Sequence, residues 1–558
     1  MDAPATETTR HRPTAKPRHP TTMMMVPTTT MIQTIPQPTD IVSRFYLTTA
    51  IDYANGDPHL GHALEKIGAD VICRYHRMRG DEVHFLMGMD EHGHKVQQTA
   101  NQRGVSPQAL TDEVAERFQE TWKKLGISNN QFIRTTSEHH KAGVQALIKL
   151  IAARNPDDFY ERSYVGWYCV GCEAFKTDNE IVDGRCELHP TRVLEQVEER
   201  NWFFRLSKYQ EFLQNLLAEN PDFIRPESRR NEILGLLAQG LEDVSASRAR
   251  LDWAVPFPLK LSNGETQGTY VWFDALPNYL TATGFPDAGF ETRWPADVHV
   301  VGKDITRFHV VIWPAMLKAA GLDLPKSVWA HGFVQLGGER FSKSAGVKLD
   351  LNEAIDRYGA DAFRYVLLRE VPYDGDGNFS WERFEERYTS DLANSLGNLA
   401  SRTAAMVEKY CDGIVPSSSR PDAELADDDD VQSYHAALDG SRGWLLHEGL
   451  AAVARQTARA NEYVQNCAPW QLAKDPAKRA ELEQVLSSLV RRVARQALQL
   501  HPFMPTKAAE LWQSLGAPDN IAEGTFSDLD SLPVTGWHVT KGAILFPRPV
   551  APPVTPTA

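Results

Sequence analysis

Two stretches of the same texture, about 210 residues apart, constrain this chain most. "RFYLTTA" (44–50) reads as an apolar strand, and a glycine-containing turn follows at 53–58. Then "HLGHALEKIGADVICRYHRMRG" repeats Leu60, Leu64, Ile67 and Val71 at helical spacing. "EVHFLMG" is a second buried strand, "DVHVVG" (297–302) a third, and "DITRFHVVIWPAMLKAAG" reads as the helix after it. Strand–turn–helix units of this kind predict an α/β fold with a Rossmann-like, doubly wound parallel sheet. The gap before the third strand predicts a sizeable insertion that splits the sheet.

A different pattern governs residues 380–515. "VLSSLVRRVARQALQL" (485–500) places Leu486, Leu489, Val490, Val493, Ala497 and Leu500 on one face, with Arg491, Arg492 and Arg495 on others. Several such segments predict an α-helical bundle. "SSSRPDAELADDDD" (417–430) interrupts it and reads as a solvated acidic loop. Residues 1–40 are rich in Thr, Pro and Met and read as disordered; a transit peptide and a true start near Met31 are the competing readings. A chain of 558 residues is expected to hold about two to four domains. No run of 18 apolar residues occurs, so no membrane-spanning helix is expected. The net charge of −14 argues against an unselective nucleic-acid coat, though not against a local basic groove.

Six cysteines are too few for a disulfide scaffold in a chain this long. Three of them crowd together. Cys169-x2-Cys172 is followed, after 13 residues, by Cys186-x2-His189. Two short ligand pairs on opposed turns suit tetrahedral zinc, and four protein ligands make the site structural. Gly171 and Gly184 would let the two turns bend. Thiolates of this kind point to a reducing compartment, hence a cytoplasmic protein, or an organellar one if residues 1–40 are a transit peptide.

His59 and His62 admit three readings from the residues alone. They could be metal ligands, satisfied structural histidines, or donors at a phosphate site. The third uses their position: they follow a strand and open a helix, whose N-terminus offers unpaired N–H groups and a positive dipole end. Gly61 between them would remove a side chain that blocks close approach. "GGERFSKSAG" (337–346) is a Gly-rich, basic, hydroxyl-bearing loop whose Lys343 suits a pyrophosphate leaving group.

Together, "HLGH" and "RFSKS" resemble the two signature motifs of class I aminoacyl-tRNA synthetases, with Arg340 and Phe341 where Lys and Met are commoner. "YANGDPHLGH", "MGMDEHG", "YVWFDALPNY", "VGKDITRFHVVIWPAML", "NLASR" and "APW" occur in the order found in the methionyl-tRNA synthetase family, over roughly residues 43–515. The cysteine pattern resembles the family's single-zinc subgroup. The resemblance implies methionine contacts at Ile51, Tyr53, Asp90, Trp272, Ala275, Leu276, Tyr279, Ile305 and His309, with Asp90 on the ammonium group. It implies ATP contacts at His59, His62, Gly302, Asp304, His331 and Lys343, of which His59, His62 and Lys343 are catalytic, with Mg2+ accompanying ATP. Asn398, Arg402 and Trp470 would read the anticodon of tRNA(Met). On local pattern alone Trp470 reads as a core residue.

The implied division is 1–40, disordered segment; 41–155, first half of the catalytic domain; 156–265, connective insertion with the zinc knuckle; and 266–335, second half. The signature-loop and stem-contact region (336–390), the anticodon-binding bundle (391–535) and a tail (536–558) follow. The implied activity is ATP-dependent formation of methionyl-adenylate and transfer to tRNA(Met), by a monomer without a membrane partner. The rivals are a synthetase for Cys, Leu, Ile or Val, and a catalytically silent tRNA- or nucleotide-binding relative. The branched-chain enzymes carry larger insertions than 160–265, and a silent relative would be expected to lose a signature residue.

Overall fold

The computed structural model describes residues 43–171, 174–176, 181–187, 189–249, 251–336, 339–340, 351–417, 428–529 and 532–547. Residues 1–40, Cys172, Lys343 and most of the acidic run lie outside them.

One seven-stranded sheet organises residues 44–331. Its strands are β1 (Arg44–Thr49), β2 (Asp52–Tyr53), β3 (Glu82–Asp90), β4 (Gln131–Arg134), β5 (Ile224–Arg225), β6 (Val298–Gly302) and β7 (Val328–His331). The order is β5–β7–β6–β1–β3–β2, with β4 also on β3, and every pairing is parallel. Period-2 alternation divides the strands between two cores. Phe45, Leu47, Phe85, Met87, Val298 and Val300 face α1 (Leu60–Met78). Tyr46, Leu86, Val301 and Ala330 face the side of α2 (Glu138–Arg154), which supplies Val144, Leu147 and Ile148. The doubly wound parallel sheet expected from the sequence is the observed one.

Two long antiparallel strands, Phe159–Cys169 and Glu195–Phe204, carry the insertion away from the sheet. Between them sits a small sheet of Ile181–Val182, Arg185–Cys186 and His189–Val193. On the return, α3 (Val271–Ala275) precedes β6. The segment after β6 is not the single helix that its apolar pattern predicts. A 3-10 turn (Lys303–Ile305) and a π-turn (Phe308–Ile312) precede an α-helix at Trp313–Ala320. Pro314 has no N–H to donate and its ring crowds the carbonyl four residues back, so regular α-winding cannot run through this point.

The bundle contains α4 (Asn398–Cys411), α5 (Leu446–Cys467) and α6 (Arg479–Leu500). α6 is its central helix, buried well beyond one face. Arg492, expected on a separate face, is only 4% exposed. The acidic run is not wholly a solvated loop either. A helix begins at Asp428, and Asp430 is buried in ion pairs with Arg455 (2.7 Å) and Arg459. Trp537, Val539 and Phe546 are buried against the bundle.

A buried guanidinium fastens bundle to sheet domain. Arg364 pairs with Asp70 of α1 at 2.7 Å and donates to the carbonyls of Phe503 (2.7 Å), Pro502 (2.9 Å) and Leu125 (3.2 Å). Both charged side chains are fully buried. Such a pair is tolerable only because the remaining donors also find acceptors.

Candidate active site

The sheet's carboxyl edge gathers residues that are remote in sequence. Tyr53 lies in register with Asp90, and Gly302 with His331. β1 has β3 on one side and β6 on the other, so the strand order reverses beside it. Open parallel sheets bind ligands at such a reversal. α1 starts there.

His59 is the N-cap of α1, and His62 is its third residue. The His59 Nδ1 accepts from the backbone N–H groups of Gly61 (3.2 Å) and His62 (3.4 Å). The His62 Nδ1 accepts from the His59 N–H at 3.3 Å. The rings stack with centroids 3.5 Å apart. This is a capping box made from two imidazoles. A ring that accepts at Nδ1 carries its hydrogen on Nε2, so the cap fixes both rings as Nε2–H donors. Gly61 also has a local part. A Cβ there would meet the His59 ring at 3.2–3.3 Å, so the glycine makes room for the folded-back histidine.

The aromatic part of the site comes from α3, the following helix (Asn278–Thr281) and the π-turn. Trp272 stacks on Phe308 at 3.7 Å and meets the edge of His309 at 6.3 Å. Ala275, Leu276 and Tyr279 are buried beside them, and Ile51, Tyr53 and Ile305 are half-buried against the same core. His309 has its Nδ1 on the Ile305 carbonyl (3.0 Å) and its Nε2 on the Tyr279 hydroxyl (2.7 Å). The Nδ1 therefore donates and the Nε2 accepts. Burial pushes the His309 ring down to about 4, so it is neutral in the pocket. Burial also raises the Tyr279 hydroxyl, keeping it protonated.

Beneath the carboxyl edge near His331 lies a charged network that the sequence pattern did not disclose. Lys66 of α1 is fully buried between Asp52 (2.9 Å) and Glu65 (2.6 Å) and donates to the Ala50 carbonyl at 2.7 Å. Glu65 in turn meets His331 Nε2 at 3.1 Å. Burial pushes the Asp52 carboxyl up to about 7 against the pull of Lys66. Burial acts the same way on Glu65, yet Lys66 and His331 hold it below the usual range. The network joins the strand of Tyr53 to the helix of His59 and His62. Gly302 and Asp304 sit above it, with Asp304 exposed.

In the insertion, Cys169, Cys186 and His189 place their ligand atoms within 4.8 Å of one another. His189 Nδ1 lies 3.8 Å from Cys169 Sγ and 3.9 Å from Cys186 Sγ. Tetrahedral zinc holds sulfur and nitrogen ligands about 3.5–3.8 Å apart, so the donor set fits that ion. A Cβ on Gly171 would come within 2.6 Å of the His189 ring, and Gly184 has φ +74°, so both turns need their glycines.

At the far end, α4 presents Asn398, exposed, and Arg402 one turn on. The Arg402 guanidinium lies 5.9 Å from the centre of the Trp470 ring. Trp470 is half-buried, not a core residue, and follows a turn at Ala468 with φ +42°.

The chain is similar to known proteins over most of its length. The family model for tRNA synthetases class I (M) matches residues 45–193 and 191–404. A methionine–tRNA ligase from Caldanaerobacter subterraneus is 42% identical, over 90% of this chain and 78% of its own length. That of Streptomyces coelicolor is 42% identical, over 90% of this chain and 96% of its own. The chain belongs to the methionyl-tRNA synthetase family. Among solved structures, Mycobacterium tuberculosis methionyl-tRNA synthetase in complex with methionyl-adenylate superposes with a TM-score of 0.84 at 39% identity, covering 91% of this chain and 100% of that one. The apo form of the Mycobacterium synthetase gives 0.79 at 36% identity.

For a methionyl-tRNA synthetase, the motif reading leaves out several residues that the fold places at the site. Phe308 doubles the aromatic face of Trp272. Lys66 and Glu65 stand within the signature helix, where charged residues between Leu64 and Ile67 read as its polar side. His92 lies inside the quoted "MGMDEHG" and Asp274 inside "YVWFDALPNY", so the signal was present without a partner to give it meaning.

Proposed function

We propose that this chain is a methionine–tRNA ligase that works through the residues gathered at the sheet's carboxyl edge. The single observation that carries the reading is the paired-imidazole cap on α1, with the neutral aromatic pocket of Trp272, Tyr279 and His309 on the same edge. Methionine lies with its ammonium group at Asp90 and its thioether among the aromatic rings, which favour a polarizable sulfur. Ile51, Tyr53, Ala275, Leu276 and Ile305 complete the pocket.

ATP lies over the N-terminus of α1, with the adenosine end near Gly302, Asp304 and His331. The methionine carboxylate is already ionised, so its attack on the α-phosphate needs no general base. The Nε2–H groups of His59 and His62 and the ammonium of Lys343 stabilise the charge that moves onto pyrophosphate, and alignment does the rest. Mg2+ bound with ATP supplies further charge neutralisation. The terminal adenosine hydroxyl of tRNA(Met) then takes the methionyl group and AMP leaves. Asn398, Arg402 and Trp470 engage the anticodon by edge hydrogen bonds and stacking.

Cys169, Cys172, Cys186 and His189 would hold one zinc ion, which as a four-ligand site would brace the insertion and take no part in the reaction. A thiolate set of this kind persists in a reducing compartment, which supports a cytoplasmic location. ATP–pyrophosphate exchange tests the reading. Methionine is expected to support it, with Cys, Leu, Ile and Val well below. Exchange with one of these in place of methionine overturns the assignment.

A further inference from the structure

Asp90 and the aromatic end of the pocket come from opposite sides of the insertion, and one buried carboxylate ties them together. His92 stands two residues after Asp90. Its Nδ1 lies 2.7 Å from Asp274 Oδ2, a pairing across 182 residues. Asp274 belongs to α3, between Trp272 and Ala275. Its Oδ1 meets His140 Nε2 of α2 at 2.9 Å, and His140 Nδ1 meets Thr281 Oγ1 at 2.9 Å. All three residues of this His–Asp–His set are at most 2% exposed. The two rings hold the Asp274 carboxyl down at about 2 against burial, so it is ionised. Trp253 pins the same loop from outside, donating to the Glu91 carbonyl at 2.6 Å while its own carbonyl accepts from Gly93 at 3.0 Å.

A junction that only needed to pack could be apolar. Removing an ionised carboxylate from water costs several kcal/mol unless its partners are well placed, and such groups earn retention best where they fix a register. Here the register is the separation between the ammonium site and the thioether site. One methylene changes that separation by roughly 1.3 Å, and a pocket discriminates a single methylene by about 10–200-fold only if its ends hold still.

We propose that Asp274, held between His92 and His140, is a positioning residue that fixes the distance from Asp90 to the Trp272–Tyr279 wall and so sets the length of amino acid accepted. The proposal rests on the pocket being the methionine site.

The test is pyrophosphate exchange by the full chain with methionine, S-methylcysteine (one methylene shorter) and homomethionine (one longer). Asp274→Asn and His92→Phe are expected to raise KM for methionine about tenfold or more and to leave KM for ATP within about threefold. Their preference for methionine over both analogues is expected to fall about tenfold or more. His92→Asn keeps an N–H donor near the place of Nδ1 and is expected to retain the wild-type preference. Equal rises in both KM values, an unchanged preference, or failure of both disruptive variants to fold would assign Asp274 a purely structural part and overturn the proposal. A wild-type chain inactive with methionine overturns the underlying reading instead.

Discussion

His59 and His62 hydrogen-bond to each other's backbone through their Nδ1 atoms, His62 to the N–H of His59 at 3.3 Å and His59 to that of His62 at 3.4 Å. One pair of side chains thus both starts the helix and sets two Nε2–H donors. The two effects separate in a single substitution. Asparagine is as good an N-cap as any residue but has no Nε2–H at that reach. His59→Asn is expected to keep thermal stability close to wild type and to slow pyrophosphate exchange about a hundredfold. His59→Ala is expected to lose about 1 kcal/mol of stability as well. Denaturant melts beside exchange rates check both, and an exchange rate that tracks stability alone contradicts the donor role.

In the proposed reaction Lys343 brings a cationic contact to the departing pyrophosphate, beside the neutral Nε2–H donors of His59 and His62. Lys343→Ala should lower the rate of adenylate formation by about a hundredfold to a thousandfold while methionine affinity, read by equilibrium dialysis, stays near normal. Exchange at the wild-type rate removes the role.

Trp470 and Arg402 lie against each other near the start of α4. Trp470→Ala should weaken tRNA charging by about 1–3 kcal/mol, the worth of one base stacked on an aromatic ring, and leave exchange unchanged. Parallel loss of both activities would point to damage to the bundle.

His309 gives the pocket a pH signature in stability. Its ring is held neutral, at about 4 against an ordinary value of 6.5, because it is buried. Below pH 6.5 the unfolded chain takes up a proton that the folded chain refuses. The contribution is therefore fully present above pH 6.5 and is lost as pH falls towards 4, by at most about 3 kcal/mol. His309→Gln should flatten that part of the stability curve, and an identical curve in wild type and variant contradicts it. Buried His299, also pushed down by its surroundings, adds in the same direction.

The Cys–His cluster should bind about one zinc per chain. Cys186→Ser should reduce the metal content and lower the melting temperature. A wild-type chain free of zinc by elemental analysis, purified without chelator, removes the site.

Legibility in the sequence followed the physics of each element. β1, β3 and β6 were readable because strands buried on both faces are short apolar runs. The paired cysteines stood out by their spacing, whereas His59 and His62 admitted three readings until the family resemblance joined them to Lys343. Lys66 was not, because a lysine among leucines reads as the polar side of a surface helix until Asp52 and Glu65 are seen around it. Asp430 failed for the same reason: its partners, Arg455 and Arg459, arrive from another helix. The π-turn before Pro314 was hidden because an apolar pattern fits α- and π-winding alike over one turn. Gly61 was singled out for the close approach of a ligand, and it also makes room for a neighbouring ring.

Arg364 bears on where this protein can be cut. Two of its acceptors, the carbonyls of Pro502 and Phe503, lie beyond the last turn of α6, while its ion partner Asp70 belongs to the helix that His59 begins. A fragment ending ahead of residue 502 would remove two carbonyl acceptors and leave the guanidinium only Asp70 and the Leu125 carbonyl, at about 1–3 kcal/mol for each acceptor lost. Truncation within the bundle is therefore expected to loosen the helix that carries His59 and His62, which makes the integrity of the bundle a condition for the order of the candidate site.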